Sequence, residues 1–166
     1  MFLPIDIHFI SVVSNGIRFS DQGIDIGMPC GTPVVAVADG VVVFAGPSQA
    51  SASTTDSPSG ESDGPLMVLI KLAEVVAFEG QDYSWARYEN LICLDLRVET
   101  GEDQLVEVRA GQRLGRSGAA RGVPHLNFSL LADKNGSPGR ALPRDDLQRF
   151  LWREVAQAQL GFSAVT

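Results

Sequence analysis

The chain has 166 residues, 45% hydrophobic and 20% charged, which is one domain's length with apolar content for a buried core and marks a globular rather than a disordered chain. Its formal net charge is −7 and its pI about 4.7. The 13 Lys and Arg are scattered, which excludes a nucleic-acid or anionic-membrane surface as the main partner and suits a solvated acidic exterior.

From the N-terminus, Met1-Phe2-Leu3-Pro4 runs at once into Asp6 and His8, without the basic start and apolar stretch of a signal peptide. No secretory signal is expected, and the compartment stays open. His8 falls on an expected first strand. Val34–Ala38 and Val41–Ala45 flank Asp39-Gly40, which predicts a hairpin because Gly accepts the positive φ of a tight turn. Ser48 to Gly64 is Ser, Thr, Asp, Pro and Gly with almost nothing apolar, so a mobile loop over 47–65 is expected between two strands. Further strands are predicted at Met67–Leu72, Val75–Phe78, Leu91–Leu96, Gln104–Val108 and Leu126–Ser129-Leu130. Cys30 and Cys93 show no metal-type spacing and make no disulfide framework; both are expected to be buried small side chains. No apolar run approaches the roughly 20 residues that span a bilayer, so no transmembrane segment is expected.

The one expected helix comes last. Pro143 suits its first turn, Asp145 and Asp146 suit its positive end, and Leu147, Phe150, Leu151, Val155 and Ala158 fall on one face. That stripe reads as core packing. The expected fold class is mainly β with a C-terminal helix: a β domain over 1–142, and a helix and tail packed on it over 143–166.

Gly23-Ile24-Asp25-Ile26-Gly27, Gly31-Thr32-Pro33-Val34-Val35-Ala36 and Ala38-Asp39-Gly40-Val41-Val42 resemble, in order, the first half of the lysostaphin-type (LytM-like) zinc peptidoglycan endopeptidases. Ala110-Gly111-Gln112-Arg113-Leu114-Gly115 is similar to that family's Gly-Gln-x-Ile-Gly turn and Ser117-Gly118 to its Gly-x-Ser/Thr-Gly loop. Pro124-His125-Leu126-Asn127-Phe128 resembles its Pro-His-Leu-His-Phe strand, and Asn15-Gly16-Ile17-Arg18 a worn Phe-Gly-x-Arg turn. The likeness runs from about Val13 to Leu130, with extra length at the Ser-rich loop and between Glu74 and Glu89. It implies an antiparallel β-sheet of the lysostaphin-like (duplicated hybrid motif) kind, with a groove floored by the sheet and walled by loops.

In that family zinc is held by the His and Asp of His-x-Gly-x-Asp and by the last His of His-x-His. The first His of His-x-His, with another on a Tyr-x-His-Leu strand, assists the attacking water. By this resemblance Asp25 keeps a ligand position and His125 a catalytic one. Asp21 stands where the first ligand His belongs and Asn127 where the last does. Cys93-Leu94-Asp95-Leu96 is matched to the Tyr-x-His-Leu strand, which puts Asp95 in the place of the other catalytic His.

Those exchanges change the chemistry whatever the family. A catalytic zinc takes three protein ligands, typically imidazoles with a carboxylate, and keeps water in the fourth position. Asp21, Asp25 and Asn127 offer oxygen only, a set better suited to calcium or magnesium. Asp and Asn are also shorter than His, leaving a gap of about an ångström at bond lengths near 2 Å. Without the ion nothing lowers the pKa of the water towards 7, and a carboxylate at Asp95 opposes a developing oxyanion.

The expectation is therefore a degenerate, non-catalytic domain that acts by binding a cell-envelope protein partner or peptidoglycan in its groove, with no cofactor. The alternative is an active zinc metallopeptidase that cleaves peptidoglycan cross-links with an atypical shell of Asp21, Asp25 and His125, helped by His8. A third reading places a weakly held calcium or magnesium among Asp21, Asp25 and Asp95, whose charges otherwise repel. The resemblance suggests the cell envelope, although no signal peptide is read in the chain.

Overall fold

The structure is a computed structural model that describes residues 4, 23–48, 65–96, 106–120, 122–151 and 153, and the backbone of 12–13. Its strands are β1 (Val12–Val13), β2 (Ile24–Gly27), β3 (Pro33–Val35), β4 (Gly40–Pro47), β5 (Leu66–Phe78), β6 (Gln81–Leu94), β7 (Val106–Val108), β8 (Arg113–Ala120), β9 (Val123–Lys134) and β10 (Ser137–Ala141). All belong to one sheet, in which the path β1-β2-β9-β8-β6-β5-β4-β7 is joined by β10 on β9 and β3 on β8. Every pairing is antiparallel. The mainly β class with a C-terminal helix, expected from the sequence, is what the chain adopts.

The sheet forks. β9 pairs with β6 from Ala132↔Tyr83 to Asn127↔Glu89. Beyond that point β8 inserts between them, pairing with β9 at Gly118↔His125 and with β6 at Leu91↔Ser117. The residue at the crotch, Asn90, has φ +67°, a left-handed conformation that Asn tolerates better than most side chains. The kink turns β6 from one partner strand to the other.

β5 and β6 are 13 and 14 residues long and meet at Glu79-Gly80, with φ +49° and +79°. Two consecutive positive φ values give the tight turn whose twist suits a hairpin. The extra length expected between Glu74 and Glu89 is thus strand, and the segments Met67–Leu72 and Val75–Phe78 are one element with a bulge between Lys71 and Val76.

The Asp39-Gly40 hairpin is a second correction. β3 pairs with β8, whereas β4 pairs with β5 and β7. Val35 N–H goes to Pro4 O and Ala36 N–H to Gln112 O, each at 2.8 Å, and Val37 N–H to the Tyr88 hydroxyl at 2.9 Å, so these donors are turned away from β4. Asp39 joins other strands instead, its carbonyl accepting from Ala73 N–H and its Oδ1 from Ala110 N–H. Cys30 is exposed and Cys93 half-buried, against the expectation that both are core. Cys30 lies in the turn before β3, and Cys93 lies beyond Leu91, the last β6 residue paired with β5. Of the expected loop, 49–64 lies outside the described residues; its ends are joined by Ser48 N–H to Pro65 O at 2.9 Å.

Alternation of side chains along the strands sorts residues onto two faces. One face carries Ile24, Ile26, Ala86, Tyr88, Leu126, Phe128 and Leu130, and it forms the main core together with Leu147, Phe150 and Leu151. Those last three lie on helix α1 (144–151, with 153 also helical), as their spacing predicts; Val155 and Ala158 lie outside the described residues. Phe150 meets Phe78 edge to face, centroids 5.6 Å apart, while the Arg153 guanidinium lies over both rings and Arg149 pairs with Glu79 at the hairpin tip. The opposite face carries Asp25, Arg87, Glu89, His125, Asn127 and Ser129.

Burial pushes the Tyr88 phenol well above its ordinary value, with the Val37 bond acting weakly the other way. The folded chain therefore holds that proton more tightly than the unfolded chain, and stability falls as pH rises past about 10. Tyr88→Phe should lower unfolding free energy by about 1–3 kcal/mol, because Val37 N–H is left buried without its acceptor. The variant should also lose less stability between neutral and alkaline pH, as followed by guanidinium unfolding.

Candidate functional site

The polar face of the fork holds a row of side chains set by register. Asp25 on β2 lies opposite Asn127 on β9, which lies opposite Glu89 on β6. His125, two residues along β9 and on the same face, lies opposite Gly27. Asp25 is 8% exposed, His125 2% and Asn127 3%, so each must find polar partners inside the protein.

Asn127 Nδ2 donates to Asp25 Oδ1 at 2.7 Å. The other half of that amide, Oδ1, is buried and has no hydrogen-bond partner among the described residues. His125 Nδ1 stands 2.8 Å from the carbonyl of Val123; a carbonyl only accepts, so Nδ1 carries the proton. Nε2 then presents a lone pair, which takes a hydrogen from Asn90 Nδ2 at 2.6 Å. Asp25 Oδ1 stands 3.8 Å from the same Nε2. The Asn90–His125 bond bridges the fork at the place where β6 and β9 part.

Backbone shape supports this row. Gly23 has φ +101°, and a Cβ there would come within 2.2 Å of Ser129 Oγ and 2.5 Å of Phe128 O, so only glycine lets β2 begin beside β9. A Cβ on Gly118 would come within 2.5 Å of Ile92 Cγ2 and 3.0 Å of Asn90 O, so that glycine lets β8 enter the fork. The fully buried Ser117 donates to Pro29 O at 2.9 Å and accepts from Thr32 N–H at 3.1 Å, tying β8 to the turn that follows β2. Beside the row, Glu89 accepts from Ser48 at 3.3 Å and pairs with Arg87 at 3.4 Å, whose Nη2 reaches Ser129 Oγ at 3.3 Å.

The structure brings together three of the residues expected at the site: Asp25, His125 and Asn127. Asp21, and the substitute ligand His8, lie outside the described residues. Asp95 is not with them. Its N–H bonds Leu114 O, four residues along β8 from the Gly118 that faces His125, or roughly 13 Å at 3.3 Å per residue. Its carboxylate pairs with Arg113 at 3.3 Å in a half-exposed setting, where such a pair contributes little. The residue beside His125 is Asn90, which the sequence reading passed over. The signal was Tyr88-Glu89-Asn90-Leu91, a Tyr-x-His-Leu strand with Asn in place of His.

A zinc ion, implied by the likeness, does not fit the residues described. An ion between Asp25 and Asn127 needs a lone pair from each. Here Asn127 turns its N–H towards Asp25, and among the described residues the imidazole nitrogen on that side, His125 Nε2, already accepts from Asn90. Among the described residues no three His, Cys, Asp or Glu side chains group so as to hold a metal.

The sequence profile of Peptidase family M23 matches residues 19–139, which is most of the chain. The chain belongs to Peptidase family M23. Among solved structures, it aligns with the catalytic domain of the antimicrobial peptidase lysostaphin from Staphylococcus simulans at 23% identity and a TM-score of 0.52, covering 86% of this chain and 84% of that one. It aligns with a zinc-containing peptidase from Vibrio cholerae at 21% identity and a TM-score of 0.52, covering 82% of this chain and 37% of that one. With the solution structure of lysostaphin the identity is 24% and the TM-score 0.46, over 71% of this chain and 40% of that one. The chain thus spans well under half of the two longer proteins, and the likeness is one of fold. No curated protein matches. Among the described residues no helix is long and apolar enough to cross a membrane.

Because Gly23 brings Asp25 to Asn127, Gly23→Ala should cost at least about 1–3 kcal/mol from the left-handed backbone alone, with the Ser129 and Phe128 contacts adding to it. Thermal unfolding measures the loss. A change within error would mean that β2 does not meet β9 as described.

Proposed function

We propose that this M23 chain is a non-catalytic domain that acts by binding, its ligand being peptidoglycan or a protein partner of the cell envelope. The observation that carries the reading is the pairing of Asn127 with Asp25 beside that of Asn90 with His125. Two positions at which the family has histidines hold amides, and both amides are turned onto the groups a metal or a water would need. Asp25 and His125 are what remains of the hydrolytic set, with Asp21 and Asn127 at the positions of lost ligands. His125, whose Nε2 already accepts a hydrogen bond from Asn90, is a poor base for an attacking water. The peptidoglycan assignment comes from family membership, and the likeness to lysostaphin supports the fold that goes with it. In this reading residues 1–142 form the binding domain, and the C-terminal helix and tail over 143–166 pack on it.

The second reading, an active zinc peptidase with an atypical shell, draws on the retention of Asp25 and His125 at their family positions. One experiment separates the two. Purified chain is mixed with cell-wall sacculi, with and without zinc, and sedimented; the pellet is assayed for the chain and the supernatant for released fragments. The expected result is co-sedimentation with no fragments released in either condition. Zinc-dependent release that Asp25→Ala abolishes would replace the proposal with the second reading. Neither binding nor release would leave an envelope protein as the ligand, to be sought by cross-linking in cells.

A further inference from the structure

We propose that Asn135 is a latent site of spontaneous deamidation, and that the Asp133 carboxylate, set in place by Trp85, guards it by holding the Gly136 amide. The inference is independent of how the polar row at the fork is read. Asn-Gly occurs at Asn15-Gly16 and at Asn135-Gly136; the first lies outside the described residues, and the second forms the tip of the β9–β10 hairpin. Ser137 is the register partner of Lys134 and Pro138 of Asp133, which leaves Asn135 and Gly136 as a two-residue loop. Their φ values, +55° and +80°, are those of the type I′ turn, for which Asn-Gly is the preferred pair. Both residues are exposed, so water reaches them.

The chemistry to be restrained is internal to the chain. In an Asn-Gly pair the glycine nitrogen can attack Asn Cγ, unhindered by a side chain on the following residue. The N–Cγ bond forms and the Cγ–Nδ2 bond breaks. The side-chain nitrogen leaves as ammonia with the proton that the glycine amide gives up. Water then opens the cyclic imide at either carbonyl, to aspartate or to isoaspartate, whose main chain is one carbon longer.

The structure opposes the first of these steps. Gly136 N–H, which a I′ turn leaves out of the ladder between the strands, donates to Asp133 Oδ1 at 2.7 Å. That bond is charge-assisted, hence short and strong, and it must break before the nitrogen can lose its proton and attack. Asp133 is itself held. Its Oδ2 accepts from Trp85 Nε1 at 3.3 Å, as a buried indole N–H requires. Trp85 is 4% exposed, clusters with Leu131 and Ala141, and carries the Lys71 ammonium over its ring at 5.4 Å. Trp85 is thus a positioning residue, and one carboxylate links its indole to an exposed turn amide. What is guarded is the hairpin. A longer main chain at Asn135 would disturb the register that runs back to Ala141↔Leu131 and on to Leu142 N–H, which bonds Leu130 O at 2.8 Å just ahead of α1.

The test follows conversion of Asn135 by mass spectrometry of the peptide that holds it, in folded chain kept warm at neutral pH and in the same chain unfolded in guanidinium. The folded parent should convert about tenfold or more slowly than the unfolded chain, a factor that a hydrogen bond to a charged group supplies. Folded Asp133→Ala should lose most of that protection. Asp133→Asn should fall between the two, because a neutral acceptor holds the amide less firmly, and Trp85→Phe should lose part of the protection with Asp133 intact. A merely structural role for these side chains would move Tm and leave the rate in the folded chain alone. A folded parent that converts as fast as the unfolded chain overturns the proposal. So does a folded Asp133→Ala chain that converts at the parent's rate or more slowly, the latter making Asp133 a promoter of the attack. If Asp133→Ala does not fold, folded Asp133→Asn decides: faster conversion upholds the guard and an equal rate overturns it. An unchanged rate in folded Trp85→Phe overturns the part assigned to Trp85.

Discussion

The fork between β6 and β9 is the constraint on which the site depends. A continuous antiparallel ladder satisfies its own N–H and C=O groups, but where a third strand wedges in, the two original neighbours part and backbone turns through unusual angles. Asn90 takes the positive φ at that point, and Gly118 admits β8 without a side chain in the way. Polar side chains then do between strands what backbone bonds no longer do. His125 and Asn90 meet there because their strands separate there. A site at such a place is held by three strands at once, which makes it more rigid than a site on loops.

Most of the fold was legible because it rests on rules that act locally. The apolar runs at Val41–Ala45, Met67–Leu72 and Leu126–Leu130 are β-branched or alternating and lie in strands; the stripe Leu147, Phe150, Leu151 has helical spacing and packs as such. Hairpin topology was less legible. Asp39-Gly40 has the chemistry of a tight turn, yet Ala36 and Val37 give their hydrogen-bonding groups to Gln112 and Tyr88, partners about fifty or more residues away that no local pattern reveals. The strand through Arg87, Glu89 and Asn90 was hidden for a related reason. Its outward residues are charged or amide because they face the buried polar row, so the run lacks the apolar regularity by which strands are recognised. The more apolar Cys93–Leu96 drew the alignment away, although its Asp95 ends in an exposed pair with Arg113.

Of the four residues the structure brings together, three were therefore readable and Asn90 was not. Asp25, His125 and Asn127 lie on short motifs whose order in the chain survives, and the structure places them in adjoining register positions. Asn90 carries no mark of chemistry by itself. It becomes informative only when β6 is known to run unbroken from Gln81 to Leu94 and to bend at that residue. Degeneration hides a site in this way: once histidine becomes asparagine, composition no longer points to it, and only the partner across the fork does.

Magnitudes show how little this fold depends on any single polar contact at the site. A hydrogen bond to a charged group contributes about 1.5–3 kcal/mol, whereas structural zinc sites bind their ion with about 10–16 kcal/mol. A domain that folded only around a metal would depend on its ion far more than on any such bond. This chain has other sources of stability. The opposite face of the sheet packs Ile24, Tyr88, Leu126, Phe128 and Leu130 against one another and against the helix, and each fully buried side chain of that size contributes about 1.5–3 kcal/mol. The polar row thus lies on one face of a sheet whose other face already holds the strands in place by packing, so substitutions in the row need not cost the fold.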